Sequence, residues 1–284
     1  MRKVGVILVV ILLVGLTAGC IGGKTPTGTS SVSSNGISSS AFPKVSIQPK
    51  HYSGDELLKN LRSIKQFSFL ENTSMSLNVT AKEGNLTEKE KVTIVYRKRG
   101  YLDLADKKAE VNITMITFPG GASTVTSEII VGNDVYVFMG GRWLKLTNET
   151  FDISPRLILN LTWGYNIVSL TGRYLQRKPF KRTFENGTQF LYYNVTEADL
   201  RTISEAFIRG VNVTFNVTNG VLELRFRDGI LMGGRMGYHM GIHIWEEHLG
   251  KFVSVYEVGH VYDEFIVFDI NIKKPVKIPE LGHV

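Results

Sequence analysis

The run Val211-Asn212-Val213-Thr214-Phe215-Asn216-Val217 alternates apolar and polar residues without a break. A period of two puts Val211, Val213, Phe215 and Val217 on one side of a β-strand, and Asn212, Thr214 and Asn216 on the other. Asn212 and Asn216 also open Asn-x-Thr sequons. A glycan has to reach solvent, so an occupied asparagine marks the outer face of its strand. The same pattern recurs in Ser74–Thr80, where Ser76, Asn78 and Thr80 oppose Leu77 and Val79. It recurs again in Val111–Met115, where Asn112 and Thr114 oppose Val111, Ile113 and Met115. All three segments describe one sheet, polar outside and apolar behind.

Outward from these strands the chain reads as two strand meanders with helices between and before them. Ser53 and Glu56 form a capping-box pair, and Leu57, Leu58, Leu61 and Ile64 make one apolar helical stripe running to about Gln66. Strands follow at Lys91–Lys98 and Thr124–Val131, with a hairpin of Val135–Met139 and Arg142–Leu146 about Gly140-Gly141. Ser154-Pro155 is an N-cap and first-turn pair for a helix carrying Leu157, Ile158, Leu161 and Trp163. A strand at Phe190–Val195 precedes a second helix, about 197–209, with Leu200, Ile203 and Phe207 on its stripe. The last third is expected to hold a Val211–Val217/Val221–Arg227 hairpin about Asn219-Gly220, then strands Ile230–His248, Lys251–Val261 and Glu264–Ile272. The expected fold is α+β, a large curled antiparallel sheet or half-barrel with a few short helices as plug or lid. Glycines 229, 233, 234, 237 and 241 mark positions where a strand bends.

The N-terminus gives an address. Met1-Arg2-Lys3 precedes an apolar run from Val4 to Leu16, closed by Leu16-Thr17-Ala18-Gly19-Cys20. A basic head, a short apolar core and small residues before a cleavage point make a secretory signal over residues 1–19. The five closing residues resemble a lipobox, which implies a lipidated Cys20 at the mature N-terminus. The other reading is an uncleaved anchor, but the sixteen residues from Val4 to Gly19 span roughly 24 Å against a core of ~30 Å. Either way Arg2 and Lys3 hold the start in the cytoplasm, and the rest lies at the outer face of the cytoplasmic membrane. Residues 20–42 are rich in Gly, Ser and Thr and form a flexible linker, leaving 43–284 as a single domain. Cys20 is the only cysteine, so no intrachain disulfide is possible.

Sequons occur at Asn72, Asn78, Asn85, Asn112, Asn148, Asn160, Asn186, Asn194, Asn212 and Asn216. Ten on an exported chain point to dense N-glycosylation, and together with a lipobox to an archaeal cell surface. The formal charge of +7, falling to +5 without Arg2 and Lys3, is mild. Outside the cell it implies no nucleic-acid partner.

No residue set points to catalysis or to a cofactor. There is no Gly-x-Ser-x-Gly elbow, and Cys20 is committed elsewhere. Glu246-Glu247 and Asp263-Glu264 read as solvated pairs. His239, His243 and His248 lie on a glycine-rich strand, where i and i+4 are ~13 Å apart, too far to share a metal ion. Arg173, Arg177, Lys178, Lys181 and Arg182 read as a solvated loop or as a contact for anionic headgroups. Met232, Met236 and Met240 share a strand face with Tyr238, Ile242 and Ile244, and methionine suits adaptable apolar surfaces. With Met115, the residues Met232, Met236, Met240 and Ile242 are candidate lining for a hydrophobic ligand.

One family resemblance covers about residues 53–280. An N-terminal helix, a strand meander, the Val135-Tyr136-Val137 to Gly141-Arg142-Trp143-Leu144-Lys145 hairpin, a helical insert and a closing Pro275-Val276-Lys277-Ile278-Pro279 look like the LolA/LppX-like lipoprotein-carrier superfamily. The resemblance implies a half-barrel with a helical lid enclosing an acyl-chain cavity. Cys20 makes the chain more like anchored LppX-type members. It implies a non-enzymatic, membrane-tethered lipoprotein that binds lipid. The alternative is a surface or assembly module with a filled core.

Overall fold

The structure, a computed structural model, describes residues 50–147, 155–200, 212–248 and 251–281. Helix α1 spans Gly54–Arg62 and begins in the expected capping box. Ser53 Oγ accepts from the Glu56 N–H, and Glu56 accepts from the Ser53 N–H. Its end comes earlier than expected because strand β1, Gln66–Glu83, begins immediately after. Then come β2 Leu86–Asp103, β3 Lys108–Phe118, β4 Ala122–Val131, β5 Asp134–Met139 and β6 Arg142–Lys145. Gly140 and Gly141, at φ 60° and 83°, make the β5–β6 turn. Helices α2 Pro155–Gly164 and α3 Ile167–Leu175 lead into β7 Lys181–Glu185, β8 Thr188–Val195, β9 Asn212–Arg227, β10 Ile230–His248 and β11 Lys251–Phe268.

All of these strands form one 11-stranded antiparallel sheet, ordered β6-β5-β4-β3-β2-β1-β11-β10-β9-β8-β7. The first and last strands of the chain meet at its centre. The sheet does not close: β6 and β7 are its edges, and the chain between those edges carries α2 and α3. The fold is the expected curled half-barrel with a few short helices.

Four readings are corrected. Asn219-Gly220 is a bulge inside one long strand and not a hairpin turn. Against β10, the stretch from Thr218 to Val221 takes three steps where His239 to Gly237 takes two. Asn219 absorbs the extra residue at φ 53°. A Cβ on Gly220 would stand 2.3 Å from the Val195 carbonyl oxygen, so β8 approaches too closely for any side chain. The bulge flips the strand's parity: Val213 and Phe215 pack inward before it, and Leu222, Leu224 and Phe226 after it. Residues 251–261 and 264–272 are not two strands, because β11 runs unbroken through Asp263-Glu264 to Phe268. The basic cluster is a loop only at Arg177 and Lys178. Arg173 lies on α3, while Lys181 and Arg182 belong to β7. Finally, α3 was not anticipated; Asn166 caps it by accepting from the Ser169 N–H at 3.0 Å.

The buried face divides into two apolar clusters. One holds Leu57, Phe67, Phe69, Leu102, Leu224 and Phe265, beside α1 and α3. The other holds Met75, Leu77, Ile94, Tyr96, Met240, Ile242 and Val261 from the opposite halves of the long strands.

Candidate ligand-binding cavity

Between the sheet's inner face and helices α2 and α3 lies a cavity of about 330 Å³. Its wall draws on Val111 and Glu128 from β3 and β4 and on Phe215 and Leu222 from β9. In a flat sheet β4 and β9 would lie about 29 Å apart, so the curl brings them round one space. Phe67, Phe69 and Met75 from β1 and Val261 and Phe265 from β11 form its floor. Leu161 and Thr162 of α2, and Ile167, Leu170, Thr171 and Tyr174 of α3, cover it. The expected second lid helix begins where it was expected, with residues 197–200 helical. Asp199 accepts from both the N–H and the hydroxyl of Thr196, and Leu200 lies on the cavity wall. Ile203 and Phe207 lie outside the described residues.

Three of the five candidate lining residues, Met236, Met240 and Ile242, are on the wall. Met232 is not; it is 40% exposed on the outer face. Leu231 pairs with Phe226 and Gly233 with Arg225, so one extra residue of β10 sits between them. That bulge reverses parity, turning Leu231 inward and Met232 outward. Met115 lies off the cavity wall, packed against the second apolar cluster.

The wall also carries a polar belt that the sequence reading missed. Along β1 the inward order is Phe67, Phe69, then Glu71 and Thr73, then Met75 and Leu77. Along β11 it is Val267, Phe265, then Asp263, then Val261. Along β2 it is Leu102, then Lys98, then Tyr96 and Ile94. Glu71 and Lys98 form an ion pair as cross-strand neighbours. Thr73 donates to Asp263 at 2.7 Å. Glu128 on β4 and Tyr238 on β10 complete the belt. Asp263 is thus not a solvated member of an Asp-Glu pair: burial and the charge of Glu71 hold its pKa above the ordinary carboxylate range. Protein surrounds Glu128, whose remaining open surface faces the cavity, and burial pushes it up to about 7 against the pull of Lys98. Burial and the nearby Asp263 raise the Tyr238 phenol, which stays neutral. The missed signal was parity: Glu71 and Asp263 fall on the apolar side of their strands.

The other candidates are placed elsewhere. His239 meets His260 at a tilt with ring centroids 3.7 Å apart, and His243 stacks on Tyr256 at 3.8 Å. Among the described residues no three metal-ligating side chains converge. The side chains of Glu246, Glu247 and His248 lie outside the described set. Arg177 pairs with Asp199, tying the end of α3 to the helical residues 197–200, and Arg173 donates to the Gly164 carbonyl at 3.0 Å. The sequon asparagines 72, 78, 85, 112, 160, 186, 194, 212 and 216 are all exposed. Asn148, Cys20, the signal and the linker lie outside the described residues.

No protein-family model matches the chain, and no curated protein matches it in sequence. Among solved structures it is similar to LprF from Mycobacterium bovis, at 12% identity and TM-score 0.36, covering 81% of this chain and 97% of that one. It is also similar to a DUF1329 family protein from Desulfovibrio piger, at 9% identity and TM-score 0.20, covering 78% and 93%. A third is a domain from Vibrio parahaemolyticus assigned to outer membrane lipoprotein sorting, at 8% identity and TM-score 0.18, covering 72% and 87%. These are distant likenesses of fold, which transfer no residue and no activity.

Proposed function

We propose that this protein is a membrane-tethered, N-glycosylated extracytoplasmic lipoprotein that holds a hydrophobic ligand, a lipid or acyl chain, against the concave face of its sheet. The observation that carries the reading is the cavity itself. A space of about 330 Å³ stays open between an apolar sheet face and a helical cover, where a structural module would bring side chains into contact. That volume falls at the lower end of small-ligand sites, which run from ~300 to ~1,000 Å³. Its walls are mainly apolar, and such surfaces favour chains over polar solutes. In this reading the protein binds without catalysis. Cys20 and the linker keep the domain at the outer face of the cytoplasmic membrane.

Two experiments test it. A neutral, environment-sensitive dye should bind the delipidated protein saturably. Met236→Arg, which puts a charge on the cavity wall, should abolish that binding while the fold persists, to the extent that the arginine can snorkel. Unchanged dye binding in the variant would place the site elsewhere. Cys20→Ser should release the domain from the detergent phase or leave the precursor uncut. Normal processing with full membrane retention would replace the lipid anchor with a plain apolar one.

A further inference from the structure

The polar belt is out of place in a cavity built only for hydrocarbon. It crosses the floor from Asp263 through Thr73 and Glu71 to Lys98 and on to Glu128, and it separates the two apolar clusters. A chain lying on either cluster brings one end to this belt. The acids outnumber the bases: among the described residues Glu71, Glu128 and Asp263 face a single cation, Lys98, which is already paired with Glu71. Glu128 accepts no hydrogen bond among the described residues. From the helical side the cavity is met by Tyr165, Tyr174 and Asp199, and Asp199 is neutralised by Arg177. No unpaired cation is therefore offered from that side among the described residues. A second polar group waits on the same wall: Thr171 is 1% exposed, and its hydroxyl has no hydrogen-bond partner among the described residues.

We infer that the ligand is an amphipath whose headgroup is a protonated amine, drawn to the acidic belt that runs between Asp263 and Glu128, with its chain along the apolar floor. This rests on the cavity-binding reading and names the ligand class for that site. An ammonium brings three donors, no acceptor and one positive charge, the complement of a belt whose carboxylates outnumber its cations. A fatty acid or a phosphate headgroup would add negative charge beside Glu71, Glu128 and Asp263. Among the described residues it would find only Lys98, which it must take from Glu71. An ionised carboxylate is costly in an apolar wall, so burial in the unliganded site shifts Glu128 and Asp263 towards their protonated forms. Binding an ammonium reverses that balance and releases protons. Amine affinity should therefore rise with pH through the neutral range, whereas affinity for an uncharged chain should not.

The test uses the mature full chain, delipidated, with dodecylamine, dodecanol and dodecanoate titrated below their micelle concentrations by calorimetry. At about pH 8 the amine should bind tenfold or more tighter than the alcohol, and the carboxylate more weakly than either. At about pH 5 the amine's advantage should shrink several-fold. The variant Glu128→Gln/Asp263→Asn keeps the shape of the wall and removes its charge. It should bind the alcohol as before and lose the preference for the amine. Glu128→Gln alone, on the outlying strand β4, should lose part of it. Equal binding of amine and alcohol, tighter binding of dodecanoate, or an amine preference surviving in the double variant would overturn the inference while leaving a chain-binding cavity in place. Failure of all three probes, dodecanol included, would overturn both the inference and the cavity reading.

Discussion

Thr73 Oγ1 donates a 2.7 Å hydrogen bond to Asp263 at the seam where β1 pairs with β11, joining the first strand of the chain to the last. The two residues are direct cross-strand partners on the inner face. The seam therefore has a polar contact where its neighbours Phe69, Met75, Val261 and Phe265 are apolar. Burial of an acid inside such a face favours its protonated form, and that couples stability to pH.

Glu257 shows the coupling most cleanly. It is 1% exposed, neither carboxylate oxygen has a hydrogen-bond partner among the described residues, and burial pushes its pKa up to about 7. The folded pKa is raised, so its contribution is complete below about pH 4.5 and is lost as pH rises towards 7. Glu128 and Asp263 act in the same direction. Urea unfolding should show stability falling from about pH 5 to about pH 8. Glu257→Gln should recover on the order of 3 kcal/mol at the higher pH and flatten the profile. A variant with the wild-type slope would mean that Glu257 finds a partner in the folded protein.

The bulge in β9 makes a second prediction. A methyl group on Gly220 would meet the backbone of Val195 at 2.3 Å, which no side-chain motion relieves. Gly220→Ala should cost about 2 kcal/mol or more in urea unfolding. Its neighbour Asn219→Gly should be close to neutral, because φ there is 53° and glycine accepts it freely. Equal effects of the two substitutions would contradict the bulge.

Glycan mapping bears on the outer face. Asn78, Asn112, Asn212 and Asn216 are exposed on their strands, while Leu77, Val79 and Ile113 beside them are buried. Peptide mapping of protein from its source cell should find sugar on several of these four. Replacing each by Gln should change stability by no more than ~0.5 kcal/mol, as for other surface positions. Bare asparagines throughout would remove glycosylation from the account without moving the strands.

Much of the sheet was legible because alternation is a direct consequence of the strand's geometry. Leu77 and Val79 against Asn78, or Val213 and Phe215 against Asn216, read correctly one residue at a time. What could not be read were the places where one residue is inserted. Asn219-Gly220 has the composition of a hairpin turn, and only the register against β10 shows it to be a bulge. Counting back from Met236 in twos puts Met232 on the inner face, and the bulge after Leu231 breaks that count. Asp263 was hidden by its neighbour. An Asp-Glu pair resembles a turn, yet in an unbroken strand one of the two must face inward. Helix α3 carried a signal in its Asn166 cap, masked by the arginines that follow.

Native mass spectrometry of the protein purified from its source cell without added lipid tests the central claim most directly. The account predicts an adduct of one amphipathic molecule per chain, released on unfolding and absent from Met236→Arg. A wild-type spectrum of bare protein, in a preparation whose Cys20 lipid and glycans are intact, would contradict a ligand-binding cavity and leave a structural surface module.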